Sequence, residues 1–212
     1  MTWRLTTICR HVLLATWLAV SGAVAAEVPA LAAEDRADLD RIEAYLNTLN
    51  TVRARFVQIA PDGGASNGTV YMSRPGKMRI EYDPPVPVLV VANGLFLIFY
   101  DKQLEQISHI PLDSTPAGVL LRESIVLDDD IRVDGLERSP GVIRIALVDA
   151  ADPNAGKLIL TFGDKPLELR QWTVIDGQGQ ETRVGLLDAQ FDLALDPDLF
   201  VFRDPRVGGG SR

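Results

Sequence analysis

YMSRPGKMRIEYDPP, residues 71–85, sets an Arg-Pro-Gly corner between two strand-like stretches. Proline fixes its own φ and glycine reaches positive φ freely, so Arg74-Pro75-Gly76 reads as a tight turn. After it, Met78, Ile80 and Tyr82 alternate with Lys77, Arg79 and Glu81, the period of a half-buried strand. The Asp83-Pro84-Pro85 corner ends the run. A hairpin with one apolar face follows.

The same period of two extends in both directions. Residues 52–60, 67–73, 77–82, 86–92, 95–100 and 104–110 read as short strands, separated by PDGG, RPG, DPP and NG. Asn93-Gly94 between two apolar runs is the strongest hairpin signal in the chain. Further strands are expected at 131–136, 142–149, 157–163, 167–175 and 181–193. Within 142–149, Val142 and Ala146 oppose a second apolar set, Ile143, Ile145 and Leu147, with Arg144 breaking the first. The total is about eleven strands in a meander of hairpins, without a βαβ alternation.

Two helical pieces interrupt the strands. In residues 34–50, Leu39, Ile42, Leu46 and Leu49 recur at helical spacing, and acidic residues crowd the first turn, where the helix dipole favours them. Later, Thr115 is placed to cap a short helix that starts at Pro116 and carries Leu120 and Leu121. About eleven strands curve into a wide sheet whose apolar face two such helices cover only in part. The uncovered remainder is a cavity suited to an apolar ligand.

The start of the chain reads differently. Arg4 and Arg10 precede an apolar stretch that ends in small residues, the pattern of a secretory signal cleaved after Ala25 or Ala26. A membrane helix or a buried first helix leaves the basic start and the Ala-rich end unexplained. Cys9, the single cysteine, lies ahead of most of the apolar stretch and therefore is not a lipid-attachment site at the cleavage point. The expected division is 1–26 signal, 27–204 one domain, and 205–212 a flexible tail, with a monomer folding without disulfides. The chain carries a formal charge of −8, and removing two arginines makes the remainder more acidic still. That argues against nucleic acid or an anionic membrane surface as a partner.

Catalytic chemistry gets little support. His109 is the one histidine beyond the signal and sits at the edge of a hairpin. No phosphate loop or dinucleotide fingerprint is present. Asp128, Asp129 and Asp130 lack the spacing of a calcium loop and read as a solvated turn. Asn67-Gly68-Thr69 matches a glycosylation acceptor, a weak signal at three residues. No cofactor and no metal is implied.

Taken together, the signal, the amphipathic helix, ARFVQ at 54–58, GTVYMSRPGKMRIEYDPP at 68–85, VVANGLFLIFYDKQLEQISHIPL at 90–112 and TPAGVLL at 115–121 resemble the periplasmic outer-membrane lipoprotein carrier family, LolA. Beyond residue 125 the likeness is one of strand order and length. The resemblance implies a mostly β fold with a small α component, an unclosed antiparallel barrel of eleven strands with a helical lid over an apolar cavity. It also implies a soluble periplasmic carrier, not an enzyme. Such carriers take triacylated outer-membrane lipoproteins from an inner-membrane ABC transporter and hand them to an outer-membrane receptor. The receptor shares the fold but is itself a lipoprotein, so the absence of a lipid-attachment cysteine favours the carrier; in some bacteria one protein serves both roles.

The family's functional arginine, immediately before the proline of its R-P pair, falls on Arg74, where it is linked to lid closure and to handover of cargo. Read alone, Arg74 is an exposed turn residue; with the resemblance it is a latch. Met78 matches a large cavity position, and its flexible side chain suits acyl chains of varied shape. Phe56, Val70, Ile80, Val90, Leu97, Phe99, Leu104, Leu120 and Leu121 complete the expected lining, subject to strand parity. Where the family often has tryptophans flanking the R-P pair, this chain has Tyr71 and Ile80. The rival readings are a periplasmic lipid or lipoprotein sensor on the same half-barrel, and a periplasmic enzyme acting on glycolipid or peptidoglycan.

Overall fold

The computed structural model describes residues 32–127 and 130–206. The expected signal at 1–26 lies outside the described residues, as does the expected tail apart from Pro205 and Arg206. One helix, α1 (Ala33–Thr48), precedes eleven strands: β1 (Thr51–Ile59), β2 (Ala65–Ser73), β3 (Lys77–Tyr82), β4 (Val88–Asn93), β5 (Phe96–Asp101), β6 (Gln106–Pro111), β7 (Ile131–Ser139), β8 (Val142–Asp149), β9 (Gly156–Gly163), β10 (Glu168–Asp176) and β11 (Glu181–Phe191). Short 3₁₀ helices lie at Leu112–Ser114, Pro116–Leu121 and Pro197–Phe200.

All eleven strands form one antiparallel sheet in the order β6-β5-β4-β3-β2-β1-β11-β10-β9-β8-β7. Two meanders are joined where β1 pairs with β11. The edges β6 and β7 do not meet, so the barrel stays open. The chain that connects those two edges is the stretch carrying the Pro116–Leu121 helix. Topology alone thus sends this segment across the gap.

Sequence alternation sets which face is inside. Ile143, Ile145 and Leu147 on β8, and Leu158, Leu160 and Phe162 on β9, are buried on the concave side. Against them α1 lays Leu39, Ile42 and Leu46, with the Tyr45 ring edge-on to Phe162 at 6.0 Å. The Tyr45 hydroxyl also accepts the Leu169 N–H at 3.0 Å. At the margin, Arg138 of β7 pairs with Asp35 and Asp38 at 2.7 Å each, holding the first turns of α1 to the sheet. The helix therefore fills the β7–β10 half and leaves the β1–β6 half without a helical layer.

The convex side of β3–β5 has a cover that the sequence reading did not anticipate. Outward-pointing Val91 and Ile98 are buried, because the chain after β11 crosses over them. Arg79 donates to the Leu199 carbonyl at 3.0 Å, Phe200 is buried, and Phe202 meets the Tyr100 ring edge-on at 5.7 Å.

Strand boundaries agree with the alternation to within two residues, except that β7 runs on to Ser139 rather than ending at 136. Two of the smaller shifts have local reasons. β4 starts at Val88 rather than 86, since Val86 N–H closes a turn on the Asp83 carbonyl at 3.1 Å. β6 starts at Gln106 rather than 104, because Asp101 Oδ1 accepts the N–H groups of Gln103 and Leu104 and fixes a turn there.

Candidate functional site

The unfilled half of the sheet encloses a cavity of about 610 Å³. Its walls are apolar: Val70 and Met72 of β2, Met78 and Ile80 of β3, Val90 of β4, Leu97 and Phe99 of β5, and, from the far side, Trp172, Val174, Val184 and Leu186. Leu49, Thr115, Pro116 and Leu120 form the roof. Thr115 shapes that roof as expected, accepting the Gly118 N–H at 3.2 Å directly after which the helix turns. Phe99 and Ile110 line the wall yet are each 40% exposed, so the cavity opens to water beside β5 and β6.

Of the expected lining, Val70, Met78, Ile80, Val90, Leu97, Phe99 and Leu120 stand on the cavity surface. Phe56 and Leu121 do not. Both are closed into the packed core, Phe56 beneath Tyr82 and Leu121 under the roof. Leu104 is a correction of a different kind: it sits on the β5–β6 turn and is 62% exposed, because the Asp101 turn ends the strand before it. The contributions of β10 and β11 were missed, although Trp172/Val174 and Val184/Leu186 alternate as clearly as Met78/Ile80.

Arg74 stands where β2 ends, and its side chain reaches two separate parts of the roof. Nε donates to the Arg122 carbonyl at 2.7 Å and Nη2 to the Glu123 carbonyl at 3.2 Å. Nη1 donates to the carbonyls of Leu46 and, at 3.3 Å, Leu49; Nη2 also reaches Asn47 Oδ1 at 3.5 Å. Leu46 and Leu49 are at the C-terminal end of α1, where carbonyls lack helical partners and the dipole is negative, so a cation fits there. Among the described residues no carboxylate pairs with Arg74, and burial lowers its pKa from the ordinary guanidinium value.

Neighbouring groups extend the seam. Gly76 N–H donates to the Leu121 carbonyl at 2.7 Å. Asn47 exchanges two bonds with the main chain of Ile125, at 2.7 and 2.9 Å, and Glu43 accepts the Leu127 N–H at 2.8 Å. Gly76 needs its positive φ of 75°, and a Cβ there would lie 2.7 Å from Gly94 Cα, so the two hairpin corners interlock. Polar contacts of this type are individually modest, and separating them leaves no buried countercharge behind. The roof is closed by bonds that water can replace.

Among the described residues there is no group of three or more His, Cys, Asp or Glu side chains placed to hold a metal. His109 lies exposed on the edge strand β6, edge-on to Phe96 at 6.0 Å.

Residues 47–203 match the profile described as "Outer membrane lipoprotein carrier protein LolA". An outer-membrane lipoprotein carrier protein of Methylococcus capsulatus is 31% identical over 176 residues, which is 78% of this chain and 83% of the relative. One from Chromohalobacter salexigens is 29% identical over 198 residues, covering 89% and 93%. A crystal structure of a LolA superfamily protein from Nitrosomonas europaea covers 77% of this chain and 97% of that one, at 11% identity and a TM-score of 0.42.

Proposed function

The chain belongs to the LolA family of outer membrane lipoprotein carrier proteins, and from that premise we infer that it is a periplasmic chaperone shuttling outer-membrane lipoproteins across the aqueous gap between the membranes. It collects triacylated lipoproteins from an inner-membrane ABC transporter and delivers them to an outer-membrane receptor. Residues 1–26 direct export and are removed, and 27–204 form the single carrier domain.

The observation that carries this reading is an apolar cavity whose roof is tied to the β2–β3 corner through polar contacts. Each methylene withdrawn from water is worth roughly 0.8 kcal/mol, so sheltering even part of one acyl chain stabilises the soluble complex by several kcal/mol. Delivery without a nucleotide needs a container that also lets go. Arg74 supplies that in the empty state by tying the end of α1 to residues 122–123; cargo entering beneath Leu120 lifts the roof and trades those bonds for acyl contacts. Met78, Ile80, Val90, Leu97 and Phe99 then face the chains.

Depletion of the protein tests the role directly. Newly made outer-membrane lipoproteins should accumulate at the inner membrane, and their normal arrival at the outer membrane would overturn the assignment.

A further inference from the structure

The inner rows of four strands change character together at the end of the cavity away from the roof. On β1 the row Val52, Ala54, Phe56 ends in Gln58; on β3 Met78 and Ile80 end in Tyr82; on β11 Leu186 and Val184 end in Thr182. On β2, Ser66 stands opposite Gln58. An amide on the inward face of a strand breaks the alternation that builds the rest of the wall.

Gln58 is held in a defined orientation. Tyr82 Oη donates to Gln58 Oε1 at 2.7 Å, and in that arrangement the amide NH₂ is the group left for the cavity. That NH₂ has no acceptor within the described protein, and neither it nor Thr182 Oγ1 is sealed from solvent. The Tyr82 ring is itself braced edge-on against Phe56 at 5.3 Å. Gly68 makes this possible: a Cβ there would fall 2.6 Å from the Phe56 ring and 2.0 Å from the Glu81 carbonyl.

We propose that Gln58, aimed by Tyr82, is the polar recognition point of the cavity, donating its amide hydrogens to the carbonyl oxygen of an acyl ester or amide. This rests on the carrier reading above and deepens it. From Val52 to Gln58 is six residues of strand, about 20 Å, so the site gives an acyl chain a direction. The carbonyl stays at the Gln58 rim, where the polar part of the cargo meets water, and the methyl end runs toward Met78 and Leu120 under the roof. Tyr82 acts as a positioning residue.

The test is competition against a fluorescent fatty-acyl probe, using protein purified from the periplasm and four competitors of equal chain length: methyl hexadecanoate, N-methylhexadecanamide, hexadecanoic acid and hexadecyl methyl ether. Wild type should bind the ester or the amide roughly two- to ten-fold more tightly than the ether, the value of one neutral hydrogen bond. Whichever carbonyl compound binds best identifies the cargo linkage that Gln58 reads. Gln58→Leu should bind the ether as well as wild type does and lose the preference, and Tyr82→Phe, which keeps the ring, should narrow it. Equal affinity for ester, amide and ether in wild type, or a preference that survives Gln58→Leu, overturns the proposal while the carrier reading stands. Failure of wild type to bind the acyl probe at all overturns both.

Discussion

Arg74 Nε stands 2.7 Å from the carbonyl oxygen of Arg122, joining the β2–β3 corner to the segment that roofs the cavity. The same guanidinium caps the end of α1 at Leu46. One side chain thus holds both edges of the roof.

Replacing Arg74 by Leu removes these bonds and leaves four main-chain carbonyls to find water. The loss should lower stability by about 2 kcal/mol in urea titration, since each bond from a charged donor is worth roughly 1.5–3 kcal/mol, discounted here for solvent access. Pickup from inner-membrane vesicles should persist, while transfer from the purified complex to the receptor should fall. Arg74→Lys keeps the charge without the planar fork and should recover only part of the transfer. A variant that fails at pickup and transfers normally would assign Arg74 to transporter docking.

Met78 faces the cavity and its chain neighbour Lys77 faces solvent. A photoreactive residue at 78 should label the acyl chains of bound lipoprotein several times more strongly than one at 77. Equal labelling would remove the case for an oriented pocket.

Trp172 offers a reporter that needs no engineering. The chain has three tryptophans, and the proposed cleavage after Ala25 or Ala26 would discard Trp3 and Trp17. The remaining indole is on the cavity wall. Brominated acyl chains should quench its emission, and short water-soluble bromocarboxylates should not. Equal quenching by both would place the ligand elsewhere.

Gly68→Ala should destabilise the fold by about 1–3 kcal/mol, as overpacked core positions do, because the new methyl group meets the Phe56 ring and the Glu81 main chain. Gly135→Ala is the control: its nearest neighbour would be Ala146 Cβ at 3.8 Å, and the change should be within about 1 kcal/mol of neutral. Thermal melts of the two variants decide it.

Burial raises the phenol pKa of both Tyr45 and Tyr82, partly opposed at Tyr45 by the Leu169 N–H. An acid whose folded pKa exceeds its unfolded value of about 10 stabilises the fold below that pH. The contribution is lost as pH rises through the folded pKa. Tyrosinate absorbance should show a late component in native protein that disappears in urea and diminishes in Tyr45→Phe and Tyr82→Phe.

Strand number and the alternation of β3 and β8 were readable from period two, and Thr115-Pro116 announced its short helix. The roof's closure was not. It depends on carbonyls of Leu46, Arg122 and Glu123, groups that every residue possesses and no sequence pattern marks. Arg74 could be singled out only through its resemblance to a family motif. Leu104 was misplaced because an apolar residue at a turn looks like the first residue of a strand, and only the Asp101 side chain distinguishes the two. The docking of Phe200 and Phe202 on the convex face escaped notice for want of periodicity in so short a segment.

The concave face of a single sheet is packed solid over β8 and β9 and left hollow between β2–β5 and the facing strands β10 and β11. Ordinary selection for heat resistance therefore acts against this protein's usefulness. Larger residues at Val70 or Val90 would occupy empty volume, and each cubic ångström recovered is worth roughly 24 cal/mol in a core that accommodates it. A laboratory lineage screened for melting temperature alone should fill the hollow first, yielding a hardier molecule with no room for freight.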